Sequence, residues 1–178
     1  IYSRTKSKAK EVMEEGAKWC DDIRSCVKDK DVVITIVGYP KDVEEVYFGR
    51  DGIIENSKKG AILIDMTTTS PKLSQRIYKE SKERNIFSLD APVSGGDIGA
   101  KNGTLSIMVG GDEEVFNESL DVLKAMGTNI IYEGEAGAGQ HTKMANQIAI
   151  AGTIAGTCEA IAYGKANDLD TRKMLDSI

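Results

Sequence analysis

Short runs of β-branched and apolar residues alternate with amphipathic segments along most of the chain. Such runs, bounded by polar and glycine-containing stretches, are typical of buried parallel strands. They predict five strands, over 31–37, 60–65, 86–93, 106–110 and 129–132. Helical periodicity and end signals predict intervening helices over 6–16, from 42 onward, over 70–84 and over 112–126. This alternation predicts an α/β fold with a doubly wound, mostly parallel sheet covered on both faces.

From Gly139 the pattern changes, and no further strand is predicted. Residues 140–166 lack a strong breaker and predict one long helix. The apolar residues Met144, Ala145 and 148–151 indicate that this helix is mostly buried, and we expect Cys158 to pack within the helical core. We therefore predict a sheet domain over 1–136 and the start of a helical domain over 137–178.

Composition narrows the choice of partners. The 178 residues are 40% hydrophobic and carry a formal net charge of −5, which disfavours a general binder of nucleic acid or anionic membranes. Three cysteines in no paired spacing predict neither a disulfide framework nor a zinc site and fit a reducing cytoplasm. The apolar stretch 144–164 is interrupted by polar residues, so we expect no membrane span. Because the chain opens on Ile1, we expect its natural beginning to lie outside these residues.

Ligands of a doubly wound sheet bind beyond the carboxyl ends of its strands, so the residues following each strand are candidate contacts. A further candidate lies at the start of the chain, ahead of the five strands, and holds Arg4 and Thr5, whose guanidinium and hydroxyl suit a ribose 2′-phosphate. No acidic residue stands there to bond a ribose 2′-hydroxyl. The alternative is that Arg4 and its basic neighbours only solvate the start of a helix.

Two further loops follow strands and suit contact with a flat cofactor ring. One is Gly38-Tyr39-Pro40, and the other contains Thr67, Thr68 and Thr69. Consecutive threonines are more often a capping and turn device for the helix that begins at Ser70-Pro71, which is the alternative here.

A sharper candidate is the loop Ser94-Gly95-Gly96, which places a hydroxyl and two glycines directly after a strand. Backbone N–H groups in such a loop can reach a carboxylate, although an ordinary glycine turn has the same composition.

The last candidate is polar chemistry on an otherwise apolar helix. Lys143, Asn146 and Gln147 are three and four residues apart and therefore share one helix face. His141, the single histidine, is two residues from Lys143, or roughly 200° around the helix, which disfavours a role for it beside the lysine.

Four of these stretches together closely resemble the β-hydroxyacid dehydrogenase family, which includes 3-hydroxyisobutyrate dehydrogenases and tartronate, glyoxylate and succinic semialdehyde reductases. The resemblance is carried by Asp90-Ala-Pro-Val-Ser-Gly-Gly96, Gly103-Thr-Leu, Met108-Val-Gly-Gly111 and Gly137-x-Gly-x-x-x-Lys143-x-x-Asn146. It implies a Rossmann-type domain that lacks its first strand and glycine-rich turn, followed by the start of the helical domain. Members form oligomers, and the resemblance implies a homo-oligomer made through the helical domain.

The resemblance also implies hydride transfer between a nicotinamide cofactor and a small hydroxyacid or its semialdehyde. Lys143 matches the catalytic lysine, an ammonium able to stabilise and protonate a developing oxyanion. By the same match, the carboxylate substrate is bound by Ser94, Gly95, Gly96 and Asn146, with Gln147 as a further contact. The cofactor is lined by Gly38, Tyr39, Pro40 and Thr68, and Arg4 with Thr5 favours NADP over NAD.

Two alternatives stay open at this stage. One is an enzyme like the more distantly related 6-phosphogluconate dehydrogenases, whose substrate loop and lysine helix differ from those here. The other is a non-catalytic dehydrogenase-like module that serves binding or oligomerisation, which we would expect to have lost the lysine.

Overall fold

The computed structural model describes residues 1–178. These residues form two compact units, residues 1–143 and residues 144–178. The first unit contains one six-stranded sheet. Its strands are β1 (Val32–Thr35), β2 (Ile62–Asp65), β3 (Phe87–Asp90), β4 (Val93–Ser94), β5 (Leu105–Gly111) and β6 (Gly127–Gly134).

The sheet has the order β1-β2-β3-β5-β4, with β6 pairing with β5. Strands β1, β2 and β3 are parallel to one another, and β6 is parallel to β5, while β5 runs antiparallel to β3 and β4. The α/β fold with a mostly parallel sheet is therefore confirmed, with antiparallel pairings at β5.

The helices occupy the predicted stretches, and several short ones were not predicted. A 3₁₀ turn (Lys6–Ala9) leads into α1 (Lys10–Glu14), and the helices after it are α2 (Ile23–Val27), α3 (Pro40–Phe48), α4 (Ile53–Asn56), α5 (Pro71–Glu83), α6 (Gly96–Asn102), α7 (Glu113–Lys124), α8 (Ala138–Ala166) and α9 (Thr171–Ser177). The unpredicted α2, α4 and α6 are four to seven residues long, too short for an apolar period to mark them.

Two apolar clusters cover opposite faces of the sheet. Adjacent residues of β2 show the alternation, because Leu63 belongs to one cluster and Ile64 to the other. The first cluster includes Val43 and Tyr47 of α3, and the second includes Phe116 of α7. The sheet is therefore packed on both faces, and the loops described below lie at the carboxyl ends of its strands.

The strand predicted over 86–93 is interrupted. It ends at Asp90, and Val93 and Ser94 form the separate strand β4, which pairs with the same edge of β5 in the antiparallel register that β3 begins. Pro92 cannot donate a backbone hydrogen bond, although its carbonyl still accepts one from the Met108 amide at 3.0 Å. The chain therefore continues along the same edge of β5 beyond Asp90, and Ser94 lies at the start of the glycine loop that follows.

The second unit contains the larger part of α8 together with α9. Its apolar side chains are mostly exposed, with Ile148 at 74% and Ile154 at 58% of full exposure, and Cys158 is exposed as well. The expectation of a mostly buried helix with a packed Cys158 is therefore wrong for this chain, because a single short helix accompanies α8 in this unit. No helix has the combination of length and apolar character that crossing a membrane requires.

Candidate active site at the carboxyl edge of the sheet

Strands β2 and β3 each end in a buried aspartate, and the two lie side by side. Asp65 and Asp90 are partners in the parallel register and are 3% and 4% exposed. Charged residues are rarely buried this deeply unless hydrogen bonds compensate them. Their hydrogen-bond partners therefore show what the edge is built to hold.

Asp90 holds the first turn of α8. One of its carboxylate oxygens accepts a hydrogen bond from the Gly137 amide at 2.7 Å, and the other accepts one from the Gln140 amide at 2.9 Å. A carboxylate at a helix N-terminus also interacts favourably with the helix dipole. The pKa of Asp90 is raised, because the effect of burial exceeds the lowering by these two amide donors.

Two glycines let α8 start directly against the sheet. A Cβ at Gly139 would lie 2.8 Å from the Asp90 carbonyl oxygen and closer still to that of Met108. A Cβ at Gly110 of β5 would lie 2.8 Å from the Gly139 amide nitrogen. The helix therefore packs backbone to backbone on β3 and β5, which fixes where its next turn lies.

Lys143, in that next turn, is buried with only 8% of its surface exposed. Burial lowers the pKa of Lys143, because the charged ammonium loses hydration. A buried lysine with a lowered pKa at a ligand-binding edge is a candidate proton donor and acceptor.

The loop before α5 is tied to its neighbours by the threonines. The Thr67 hydroxyl accepts a hydrogen bond from the Val37 amide at 3.0 Å, and Thr67 itself is 2% exposed. Ser70 is the N-cap residue of α5, but no side chain there caps the helix. The capping interpretation of the threonines is therefore wrong, since the Thr67 hydroxyl connects two loops instead.

Thr68 faces outward between buried neighbours, because it is exposed while Thr67 and Thr69 are buried. Gly38, Tyr39 and Pro40 are also exposed on the loop linked through Val37. These residues present a hydroxyl, a backbone and an aromatic side chain at the same edge of the sheet.

Arg4 is held beside this loop by a buried carboxylate. Its Nη1 lies 3.2 Å from Oδ1 of Asp42, and Oδ2 of Asp42 accepts a hydrogen bond from the Tyr39 amide at 3.0 Å. The Arg4 side chain is 74% exposed, so its other donors face outward. Thr5 is exposed next to it and adopts the extended conformation that precedes the 3₁₀ turn.

The loop after β4 adopts backbone conformations that favour glycine. Gly95 has φ of +131° and Gly96 has φ of +64°, and both are exposed. Ser94 is half-buried and pairs with Ser106 of β5 in the antiparallel ladder. The first helical bond of α6 runs from the Gly99 amide to the Gly95 carbonyl, so the amides just before Gly99 have no acceptor within the helix.

Asn146 and Gln147 lie in the second unit, on the same continuous helix as Lys143. Asn146 is half-buried and its amide donates to the Gln147 side-chain oxygen at 3.2 Å, while Gln147 is exposed. His141 is exposed as well.

Sequence reasoning did not assign roles to several residues that build this edge, namely Asp42, Asp65, Asp90 and Gln140. One signal was available, because an aspartate that closes an apolar strand is costly to bury and therefore implies buried donors nearby. The partners themselves come from distant parts of the chain, such as Thr69 and Gln140, which are 71 positions apart, and no local pattern encodes them.

Sequence profiles of two families match the chain. Residues 1–134 match the NAD binding domain of 6-phosphogluconate dehydrogenase, and residues 137–178 match the NAD-binding domain of NADP-dependent 3-hydroxyisobutyrate dehydrogenase.

Individual proteins agree with these profiles. The chain is 56% identical over 178 residues to an uncharacterized oxidoreductase, YkwC, of Bacillus subtilis, covering 100% of this chain and 62% of that protein. It is 38% identical over 159 residues to 3-hydroxyisobutyrate dehydrogenase of Pseudomonas aeruginosa, covering 89% of this chain and 53% of that enzyme.

A solved structure of Mycobacterium tuberculosis 3-hydroxyisobutyrate dehydrogenase with L-serine superposes with a TM-score of 0.90 at 29% identity, covering 98% of this chain and 59% of that one. The chain thus spans between 53% and 62% of the length of these relatives.

Proposed function

The chain belongs to the β-hydroxyacid dehydrogenase family of the 3-hydroxyisobutyrate dehydrogenase type, and from that premise we propose that the full-length protein is an NADP-dependent dehydrogenase or reductase. Its substrate is a small β-hydroxyacid or the corresponding semialdehyde. The observation that carries the proposal is the buried Lys143, one turn beyond a helix start that Asp90 and two glycines fix against the sheet.

Lys143 is the proposed general acid and base. In the reductive direction a bound nicotinamide cofactor would supply the hydride that reduces the carbonyl carbon. Negative charge then develops on the carbonyl oxygen, and the Lys143 ammonium stabilises this charge and donates a proton to it. In the oxidative direction the amine accepts the hydroxyl proton, and the lowered pKa makes more of the neutral amine available.

The loop at Ser94, Gly95 and Gly96 is the proposed site for the substrate carboxylate. A serine hydroxyl and backbone amides suit a carboxylate, and the two positive φ angles let the backbone approach a ligand without a Cβ between them. Asn146 is proposed to orient the substrate, with Gln147 as a further contact.

The loops at Gly38 and Thr68, together with Arg4 and Thr5, fit a nicotinamide dinucleotide. Gly38, Tyr39, Pro40 and Thr68 are the proposed contacts of its nicotinamide side, and all four are exposed there. Arg4 with Thr5 is the proposed site of the ribose 2′-phosphate, which is why we propose NADP over NAD. Asp42 uses one nitrogen of the Arg4 guanidinium, which leaves donors for a phosphate.

Assembly and location complete the proposal. We propose that the protein forms a homo-oligomer through its helical domain, supported by the exposed apolar side chains of α8, which include Ile148, Ile150 and Ile154. The three cysteines are free thiols, which supports a reducing compartment such as the cytoplasm. The non-catalytic alternative is disfavoured because the lysine is present and buried.

The proposal is tested by following NADPH absorbance in the full-length protein. The aldehyde panel is methylmalonate, succinic and tartronate semialdehydes and glyoxylate, with NADH in parallel. L-serine, 3-hydroxyisobutyrate and 6-phosphogluconate are tested in the oxidative direction. We expect turnover of one of the small substrates, faster with NADPH than with NADH. Turnover of 6-phosphogluconate alone would support the more distant enzyme class, and a folded protein that acts on none of these would refute the proposal.

A further inference from the structure

Gln140 is an unusual residue at the candidate site because it is polar, uncharged and completely buried. Its exposed fraction is 0%. A buried amide side chain is costly unless its donors and acceptor are paired. Its partners therefore indicate why the residue is there.

The two ends of the Gln140 amide bind the backbone on either side of one residue. The side-chain nitrogen donates to the Thr67 carbonyl at 2.7 Å, and the side-chain oxygen accepts from the Thr69 amide at 2.9 Å. Thr68 lies between these two anchored groups and faces outward. Gln140 thus holds the exposed Thr68 from behind by a two-point contact.

The backbone of Gln140 is fixed as firmly as its side chain. Its amide donates to Oδ2 of Asp90 at 2.9 Å, in the first turn of α8. Lys143 follows three residues later and therefore lies on the same helix face, one turn on. A shift of Gln140 would move the turn that carries the lysine.

The same network reaches the loop before α3. The Thr67 hydroxyl accepts from the Val37 amide at 3.0 Å, and Val37 directly precedes Gly38. The backbone of the exposed loop at Gly38, the loop at Thr68 and the helix carrying Lys143 are therefore joined by consecutive hydrogen bonds. Without the Gln140 side chain, the threonine loop and α8 would lose this connection.

We propose that Gln140 is a positioning residue. It would hold the exposed Thr68 loop and the turn of α8 that carries Lys143 in a fixed relative position, so that a nicotinamide dinucleotide bound at the loop is correctly placed relative to the lysine. This inference rests on the proposed function, because it takes Lys143 as the proton-transfer group. Because Gln140 is completely buried, it offers no surface to a substrate or a cofactor.

The first test replaces the amide by an apolar side chain of similar length in the full-length protein. Gln140→Met removes both side-chain hydrogen bonds and leaves the backbone amide of residue 140 in place. We expect NADP⁺ affinity to fall about tenfold and kcat to fall by on the order of a hundredfold, with a smaller change in substrate KM, since misplacement by about 1 Å costs rates of that size. Amide hydrogen exchange at Thr69 should accelerate.

The matched control is Leu123→Ala, which opens a cavity in the second apolar cluster, where α7 packs on the sheet. It leaves the hydrogen bonds of Gln140 unchanged. It lowers stability but should leave NADP⁺ affinity and kcat within about twofold of the unmodified protein. An equal loss in both variants would mean that Gln140 acts only through stability, and this would overturn the proposal.

A second variant separates positioning from folding by restoring the contact reversibly. In Gln140→Glu a protonated carboxyl can donate to the Thr67 carbonyl and accept from the Thr69 amide, as the native amide does. An ionised carboxylate would instead repel that carbonyl. We expect calorimetric NADP⁺ binding near native strength at acidic pH and a loss as pH rises that exceeds any loss in the unmodified protein.

Measuring the unmodified protein over the same pH range corrects for the contribution of other ionisable groups near residue 140. These are Asp65 and Asp90 at the ends of β2 and β3, and His141 and Lys143 of α8. A Gln140→Glu profile parallel to the unmodified one would overturn the proposal, even if Gln140→Met does not fold.

The outcomes also distinguish this inference from the proposed function. If Lys143→Ala retained turnover, the role of the lysine would fail, while the NADP⁺ affinity and Thr69 exchange of the Gln140 variants would still decide the role of Gln140 in the loop. If Gln140→Met behaved like the unmodified protein while Lys143→Ala was inactive, the positioning role alone would be refuted.

Discussion

Burial of the Asp65 carboxyl makes the stability of the protein depend on pH in a defined direction. The desolvation of this group raises its pKa from 3.8 to about 6, although the Thr67 amide and the Thr35 hydroxyl bond its Oδ1. Its Oδ2 has no hydrogen-bond partner. The folded state therefore favours the protonated form more strongly than the unfolded state does.

The magnitude follows from the two pKa values. A difference of about 2.2 pH units at about 1.36 kcal/mol each amounts to about 3 kcal/mol of unfolding free energy. This stabilisation is fully present below about pH 3.8 and is lost as the pH rises through about 6. About 2 kcal/mol of the loss falls between pH 4.5 and pH 7.5.

The substitution Asp65→Asn removes the titration and keeps a side-chain oxygen for the two donors. We predict that the unfolding free energy of the variant, relative to the unmodified protein, rises by about 2 kcal/mol between about pH 4.5 and about pH 7.5. Urea denaturation followed by circular dichroism at both pH values measures this double difference, in which effects independent of pH cancel.

Asp31→Asn is the matched control with the opposite sign. Asp31 is exposed and its contact with Lys58 lowers the pKa of the carboxyl, so any stability that it contributes is lost as pH falls. Unfolding free energies of Asp65→Asn and the unmodified protein that change in parallel with pH would refute the assigned burial of an ionisable Asp65.

Three further predictions concern the site. Gly139→Ala places a methyl group against the Asp90 and Met108 carbonyls, and we expect at least about 2 kcal/mol lower unfolding free energy in urea titrations, against a loss below about 0.5 kcal/mol for the control Gly152→Ala, whose added Cβ meets nothing within 4 Å. Arg4→Ala should weaken NADP⁺ binding about tenfold and leave NAD⁺ binding unchanged in calorimetry, and equal losses for both cofactors would refute the 2′-phosphate contact. Gly95→Ala forces a methyl group into a φ of +131°, so substrate KM should rise at least tenfold with little change in NADP⁺ affinity, whereas an unchanged KM would exclude this loop from the carboxylate site.

The sheet and its main helices could be predicted from the sequence because each depends on local information. Apolar β-branched runs such as Val32–Thr35 and Ile62–Asp65 mark strands, although Ile34 of the first is 43% exposed, and Ser70-Pro71 marks a helix start. The antiparallel pairing of β3 and β4 with one edge of β5 could not be predicted in this way. It depends on which strand is available for pairing, and that is a property of the whole sheet.

Only some residues of the candidate site could be proposed from the sequence. Lys143 and the Ser94-Gly95-Gly96 loop attract attention because they place polar chemistry where the pattern is apolar or tightly turned. Gln140 carries no such mark, since a polar residue on a predicted helix resembles a solvated one until its partners Thr67 and Thr69 are known. The apolar pattern of α8 likewise indicates that a face requires burial but does not identify what buries it.

The most direct test of the central claim is the turnover of Lys143→Ala beside His141→Ala in the full-length protein, with the preferred substrate and NADPH. His141 is the other ionisable residue of the same helix turn, but it is exposed and lies on a different face. We predict that Lys143→Ala loses at least about a thousandfold in kcat while it still binds NADP⁺, and that His141→Ala stays within about threefold of the unmodified rate. A Lys143→Ala protein that turns over at a near-native rate would contradict the assignment of Lys143 as the proton-transfer group.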